Sequence, residues 1–303
     1  MRILIAPLNW GLGHATRCIP LIRQYLQEGA DVVLGGTGES LQLLSKHFPQ
    51  LKVVELAPLE LQYSKGKSQV GAMLRALPQF IHFIRANRKR MEEIVRRMEI
   101  DTVISDNCFG VYSRRCECVY MTHQLHICLP QGWKWLEPLA DKVHAQLYKR
   151  YSQIWVPDNE DGECLSGALG HPARVDARVK YIGVLSRFTK DERLLANRKR
   201  EYDVVAVLSG LEPQRTIFEQ EIRQRYANSD KRVLIVRGKV NEQDFPDDEA
   251  LKKVLYGAEL IIARSGYSTI MDLWALGLLD RAELHPTPGQ SEQEYLAQLH
   301  QHS

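Results

Sequence analysis

The sequence lacks any apolar run near the ~20 residues that a bilayer-spanning helix requires, which argues against a helical membrane anchor. Its first residues do not follow a secretory pattern either, because Gly11 and His14 interrupt the opening apolar stretch. Cysteine is sparse. Six residues, at 18, 108, 116, 118, 128 and 164, do not make a disulfide framework in a chain of 303. Cys116-Glu117-Cys118 lacks zinc-ligand spacing. Reduced thiols in a cytoplasmic protein are the expectation. Low-complexity segments and short repeats are missing too. So is a dominant charge: the net value is +3, and no nucleic-acid motif accompanies it, which speaks against a nucleic-acid partner.

What remains is ordinary globular material, 44% hydrophobic and 25% charged. Its length suffices for a large core and points to two domains. Charge is uneven, however: residues 1–156 carry a balance of +7 and the remainder −4. Much of the positive excess lies between Arg75 and Arg97. There Phe80, Phe83 and Ile84 stand beside Arg85, Arg88, Lys89 and Arg90. Such a helix either packs its apolar side on the core with a solvated basic side, the favoured reading, or lies on an anionic membrane surface as a peripheral contact.

Short apolar runs at 2–6, 31–34, 52–55, 102–105, 118–121 and 153–156 read as strands. Helical patterns occupy 18–27, 38–46, 69–98, with a break at Pro78 considered, and 138–151. One more extended segment is read at 179–185. A polar stretch, 186–201, reads as a linker, and the alternation then restarts. Strands are read at 203–208, 231–237 and 260–263, and helices at 216–226, 249–257 and 269–277. The expectation is α/β: two doubly wound Rossmann-like domains, residues 1–185 and 202–303, facing a cleft that serves as the binding site.

The first strand runs into Gly11-Leu12-Gly13-His14-Ala15-Thr16-Arg17. The glycines permit a tight turn and close ligand approach, and the following helix start offers amides and a positive dipole end. This is not the dinucleotide fingerprint, because the third glycine which that pattern needs is missing. A plain strand-to-helix turn fits the same residues, but His14 suits proton transfer near neutral pH. In the second half, Leu260 to Asp272 repeats the logic, with Ser265, Gly266, Ser268 and Thr269 around a helix start that suits a diphosphate. Asp272, read in the first turn, either meets ribose hydroxyls or completes a capping box with Thr269. The segment Pro286 to Gln293 sets amide and carboxylate groups before a helix, where they read sugar hydroxyls or form an ordinary turn.

With these motifs in place, the chain resembles GT-B glycosyltransferases of the family-28-like group, which includes the bacterial N-acetylglucosaminyltransferase acting on a lipid-linked cell-envelope intermediate. The resemblance rests on Gly11 to Arg17, Ser209-Gly210-Leu211-Glu212-Pro213-Gln214-Arg215, Arg264 to Thr269, and Pro288-Gly289-Gln290-Ser291-Glu292-Gln293. It implies an N-terminal acceptor domain and a C-terminal domain for a nucleotide-sugar, expected to be a UDP-sugar. It also implies Asp272 at the ribose, and Glu292 and Gln293 at the donor sugar with Gln290 beside them. Three departures stand out. Aspartate replaces the family's usual glutamate at 272. Residues 279–285 are polar for a buried strand. The sequence ends ten residues after Gln293, where the family adds helices returning to the first domain. Those helices are expected to be absent, which puts domain closure in question.

The mechanism expected is inverting and metal-independent, with no cofactor beyond the substrate nucleotide-sugar and full turnover in EDTA. His14 is the base and Asp106 holds its imidazole, although an Asx-turn or cap fits Asp106 equally well. Amides near Ser209-Gly210 and Ser265-Gly266, with Arg215 and Arg237, meet the departing diphosphate. Gly11, Gly13, Arg17, Asn107 and His123 line the acceptor side, where His123 also reads as a satisfied core histidine. Trp133 and Trp135 either stack on an acceptor sugar or are buried. The acceptor is expected to be a lipid-linked or small glycan. Two rivals share the motifs: a nucleotide-sugar hydrolase, since Gly13-His14-x-x-Arg17-Cys18 also resembles the hydrolases of nonulosonic acid synthesis, and a non-catalytic nucleotide-sugar-binding module.

Overall fold

A computed structural model describes residues 1–59, 70–196, 199–237 and 247–301. The chain divides into two units. Unit 1 comprises 1–9 and 14–185, and unit 2 comprises 10–13 and 186–303.

In unit 1 the order is β1 (Arg2–Pro7), α1 (Gly13–Gln27), β2 (Asp31–Gly36), α2 (Gly38–His47), β3 (Lys52–Glu55), α3 (Val70–Met98), β4 (Thr102–Asp106), β5 (Glu117–Met121), α4 (Glu137–Tyr148), β6 (Gln153–Val156) and β7 (Val179–Tyr181). The strands form one sheet, β3-β2-β1-β4-β5-β6-β7, paired in parallel throughout. The apolar runs explain this arrangement. Ile3, Leu4, Ile5, Val103 and Ile104 are fully buried, as strands covered by helices on both faces must be. Each such side chain contributes about 1.5–3 kcal/mol. The order reverses between β1 and β4, where Pro7 stands opposite Asp106. Chain leaving the carboxyl ends of these two strands therefore diverges to opposite sides and opens a crevice.

α3 runs on through Pro78 without interruption. Phe83, Met91 and Val95 pack into the core, and Phe80 and Ile84 lie against it. The apolar side of the basic helix thus faces the sheet, and Leu77 and Ile81 are exposed beside Arg85. Gln69, read as the helix start, lies outside the described residues, as does the Arg75 side chain. No helix among the described residues is long and apolar enough to cross a membrane.

Unit 2 continues with α5 (Glu192–Ala196), β8 (Tyr202–Leu208), α6 (Gln214–Arg225), β9 (Val233–Arg237), α7 (Asp248–Tyr256), β10 (Ala258–Arg264), α8 (Tyr267–Leu276), β11 (Ala282–His285) and α9 (Ser291–His300). Its parallel sheet has the order β11-β10-β8-β9, so the reversal falls between β8 and β10. Val204, Ala206, Leu208, Phe218, Ile222 and Ile262 form a core cluster on one face.

Several boundaries differ from the sequence reading. Residues 282–285, judged too polar for a buried strand, form β11. It is an edge strand, with Leu284 buried and Glu283 turned out to pair with Arg225. The expected linker holds α5, and its Ser186 and Arg187 bond to Asp272 and Asp248 within unit 2. α1 begins five residues earlier than expected, so Gly13, His14 and Arg17 are helical rather than in a loop.

Candidate functional site

The β1/β4 crevice of unit 1 gathers His14, Arg17, Asp106 and His123. Gly11 makes the turn after β1 with φ +75°, a left-handed conformation that favours glycine. Gly13, in contrast, is the first residue of α1 and takes no such angle. Because His14 and Arg17 stand three apart on this helix, they share a face. Asp106 ends β4 directly across from Pro7. His123 follows β5, and its side chain is buried.

Arg17 occupies the centre. Its Nε donates to Asp106 Oδ2 at 2.7 Å, and its Nη2 makes a second, very short bond to Oδ1. Nη1 donates to His123 Nδ1 at 3.0 Å, and Nη2 lies 2.9 Å from His14 Nδ1. Arg17 and Asp106 are both essentially without solvent contact. Burial pushes the Asp106 carboxyl up. Arg17, then His14, pull it further down, and the balance holds it well below the ordinary carboxylate range.

His14 Nδ1 is also 3.2 Å from Asp106 Oδ1. The two contacts of this nitrogen demand different protons. A guanidinium only donates, so the Arg17 contact uses the Nδ1 lone pair and leaves the proton on Nε2. The Asp106 contact uses an Nδ1–H and leaves Nε2 able to accept a proton. Asp106 thus stands beside His14 as expected. Arg17, assigned to the acceptor loop, turns inward to that carboxylate instead. Its place was hidden by the misplaced helix start, and the (i, i+3) spacing from His14 was the available signal. Asn107, next to Asp106, takes φ +52° and accepts a bond from the Tyr120 hydroxyl at 2.9 Å. That hydroxyl also meets His144 Nε2 at 3.1 Å. Burial lowers the His144 pKa to about 4. Sequence reasoning missed this buried chain, because nothing in the spacing of 107, 120 and 144 ties a helix residue to a strand. Trp133 and Trp135 are exposed, 44% and 74%.

In unit 2 the β8/β10 reversal sets two loops at the carboxyl edge. Ser209 and Gly210 follow β8, and Gly210 has φ +95° with open space around it. Ser265 and Gly266 follow β10, with Gly266 the N-cap of α8. Ser268 and Thr269 lie in the first turn of that helix. Its opening amides and dipole suit an anion. Arg215 and Arg237 line one hollow of about 380 Å³ together with Leu208, Thr216 and Glu219. Each is held by a carboxylate: Arg215 by Glu212 at 2.9 Å, and Arg237 by Glu219.

Two readings of this unit change. Thr269 does not cap α8, because the helix starts at Tyr267 and Asp272 falls in its second turn. Asp272 accepts a bond from the Ser186 hydroxyl at 2.6 Å and pairs with Arg187 at 3.4 Å. Burial raises its pKa, with Arg187 and Ser186 opposing. The Gln293 side chain works inside the 287–290 turn. It accepts from the Thr287 amide at 2.8 Å and donates to Gln290 Oε1 at 2.6 Å. Glu292 stands in the first turn of α9. Arg264, quoted among the motifs, ties Pro286 and Gln214 carbonyls together and stacks on Phe218.

No family model matches the chain. A curated protein of Methanosarcina acetivorans, described as an uncharacterized glycosyltransferase, is 22% identical over an alignment that covers 92% of this chain and 76% of that protein. The crystal structure of SsfS6, a glycosyltransferase of Streptomyces sp. SF2575, matches with a TM-score of 0.58 at 12% identity, over 99% of this chain and 85% of that one. A UDP-glucosyltransferase of Polygonum tinctorium capable of glucosylating indoxyl matches at 0.59 and 14%, over 98% and 81%. The chain has the GT-B fold. Its relatives by sequence and by structure are glycosyltransferases. SsfS6 is also known as a complex with thymidine diphosphate, matching at 0.55 and 12% identity, over 99% of this chain and 86% of that one.

Proposed function

We propose that this protein transfers a sugar from a nucleotide-sugar to an acceptor hydroxyl, with inversion and with no metal in the transfer step. The observation that carries the reading is His14 Nδ1 placed 3.2 Å from Asp106 Oδ1 at the β1/β4 reversal. In the Nδ1–H tautomer, for which the ring gives up its contact with Arg17 Nη2, Asp106 orients the ring and Nε2 takes the acceptor proton as the acceptor oxygen bonds to the anomeric carbon. The anomeric bond to the diphosphate breaks, and its electrons leave with the nucleoside diphosphate. The amides around Ser209-Gly210 and Ser265-Gly266, with Arg215 and Arg237, neutralise that charge. Asp272, Glu292 and Gln290 are the candidate groups for ribose and donor sugar. Gln293 acts by holding the 287–290 turn.

Support for a nucleoside-diphosphate donor comes from SsfS6, known in complex with thymidine diphosphate. Uridine and thymidine diphosphate sugars, hexosyl and N-acetylhexosaminyl, are therefore the donors to test first. A small or lipid-linked glycan is the proposed acceptor, with exposed Leu77 and Ile81 beside Arg85 as a peripheral membrane contact. Melting curves with a panel of nucleotide-sugars identify the donor, because a ligand that binds the folded state raises the midpoint. A rise with at least one nucleotide-sugar, followed by product in the presence of acceptor, supports the proposal. Release of free sugar at the same rate without acceptor identifies a hydrolase. Binding without turnover across the panel identifies a binding module.

A further inference from the structure

The loop after β5 and the start of α4 hold a second group of chemically active side chains, and the sugar-transfer reading makes no use of it. His126, Cys128 and Glu137 place an imidazole nitrogen, a thiol sulfur and a carboxylate oxygen all within 4.8 Å of one another. We propose that these three residues bind a divalent transition-metal ion of zinc's chemistry, with Asp141 orienting the histidine.

The cluster is built rather than incidental. Backbone amides of Leu125 and His126 both donate to the Leu169 carbonyl, at 2.8 and 2.9 Å, and so fix the loop. The Ile127 amide donates to Asp141 Oδ1 at 2.7 Å, and the Leu129 amide donates to Glu137 Oε1 at 3.0 Å. Each carboxylate is thus tied to the loop by one oxygen and turns the other toward the His126 ring. Asp141 Oδ2 is 2.8 Å from Nδ1, and Glu137 Oε2 is 3.5 Å from Nε2. Glu137 and Asp141 stand four apart on α4, and so rise from one face of it.

The geometry leaves a place for a cation. A neutral imidazole has one N–H. Given to Asp141, that proton leaves the Nε2 lone pair aimed at a carboxylate oxygen, with the Cys128 thiol alongside. Carboxylate–histidine–metal triads have this arrangement, in which the outer carboxylate sets the tautomer and raises the ligand's basicity. Sulfur with imidazole and carboxylate disfavours magnesium and calcium and selects zinc or its neighbours. Zn–S near 2.3 Å and Zn–N or Zn–O near 2.0–2.2 Å imply tetrahedral ligand separations of about 3.3–3.8 Å. The observed Nε2–Oε2 distance of 3.5 Å lies in that interval. Binding releases the thiol proton to solvent and forms a sulfur–metal bond, with no change of oxidation state. Three protein ligands leave a fourth position for water or an anionic group. The His126 and Glu137 side chains are 23% and 17% exposed, which gives the ion a route in. The inference stands whether or not the transfer reading holds.

Cobalt reports the site directly. The full chain is stripped with chelator under reductant, dialysed and titrated with Co²⁺. The expected result is about one equivalent bound, a near-ultraviolet thiolate-to-cobalt charge-transfer band, and displacement by Zn²⁺. Cys128→Ser abolishes the band, and Cys116→Ser keeps it. Asp141→Asn weakens binding about 10–100-fold. Zinc also protects Cys128 of the unaltered protein from iodoacetamide, read by peptide mass mapping, which needs no variant to fold. Absence of the thiolate band in the unaltered protein, its survival in Cys128→Ser, its loss in Cys116→Ser, or alkylation of Cys128 unaffected by zinc would each overturn the proposal.

Discussion

Replacing Arg17 with methionine strands the Asp106 carboxylate in the unit 1 core. The side chains of Arg17 and Asp106 are 1% and 0% exposed, and two bonds join them. Removing one partner of such a buried pair costs about 3–5 kcal/mol at neutral pH, because the charge left behind keeps its desolvation penalty. The dependence on pH has a definite sign. In the unaltered protein the Asp106 pKa lies below its unfolded value, so the pair's contribution is present above the unfolded pKa and lost as pH falls through the folded one. Without Arg17, burial dominates and raises the pKa. The ionised carboxylate then opposes folding, and acidification relieves the penalty as pH falls toward that raised value. Asp106 also faces His14, Cys18 and Cys108, but only Arg17 supplies a permanent positive charge. Urea unfolding at pH 7.5 and pH 5 measures both effects. A deficit of about 3–5 kcal/mol at pH 7.5 that shrinks at pH 5 is expected. A deficit below about 1 kcal/mol, the level of an exposed pair, or one that is equal at both pH values refutes the reasoning. Arg17→Met/Asp106→Asn should recover about half of the loss, because the stranded charge is gone.

Three further outcomes are expected. Gly210→Ala is strained by its φ of +95° alone, since no atom crowds the position. It should cost about 1–3 kcal/mol in unfolding titrations and also weaken nucleoside-diphosphate binding in calorimetry. Gln293→Ala releases the Thr287 amide and Gln290, so KM for the donor rises, whereas Gln293→Glu preserves the acceptor oxygen toward Thr287 and retains more affinity in the same kinetic assay. Added Mg²⁺ or Mn²⁺ changes initial transfer rates less than about twofold if, as proposed, amides and arginines rather than a hard cation meet the diphosphate.

The strands were legible where their physics is simplest. A parallel strand covered on both faces is an uninterrupted apolar run, and β1, β4 and β5 were placed to within a residue. β11 was not, because an edge strand keeps only alternate residues inside and Glu283 is free to pair outward. The start of α1 was misread because Gly13 and His14 are poor helix formers, although the helix takes them into its first turn. The loop after β1 and the loops after β8 and β10 were visible as glycine and serine motifs. The use of their side chains was not. Arg17 turns inward and Asp272 meets Ser186, each through a partner remote in sequence, whereas Gln293 closes its own turn through near neighbours, Thr287 and Gln290. The His126 cluster escaped for the same reason: its donors come from a loop and a helix whose register only the fold sets.

The claim at the centre is that His14, oriented by Asp106, takes the acceptor proton. Initial transfer rates with the donor identified by melting, compared between the unaltered protein and His14→Ala at equal nucleotide saturation, test it most directly. A loss of about 10²–10⁴-fold with donor affinity unchanged is the predicted result. Turnover within about threefold of the unaltered protein would contradict it.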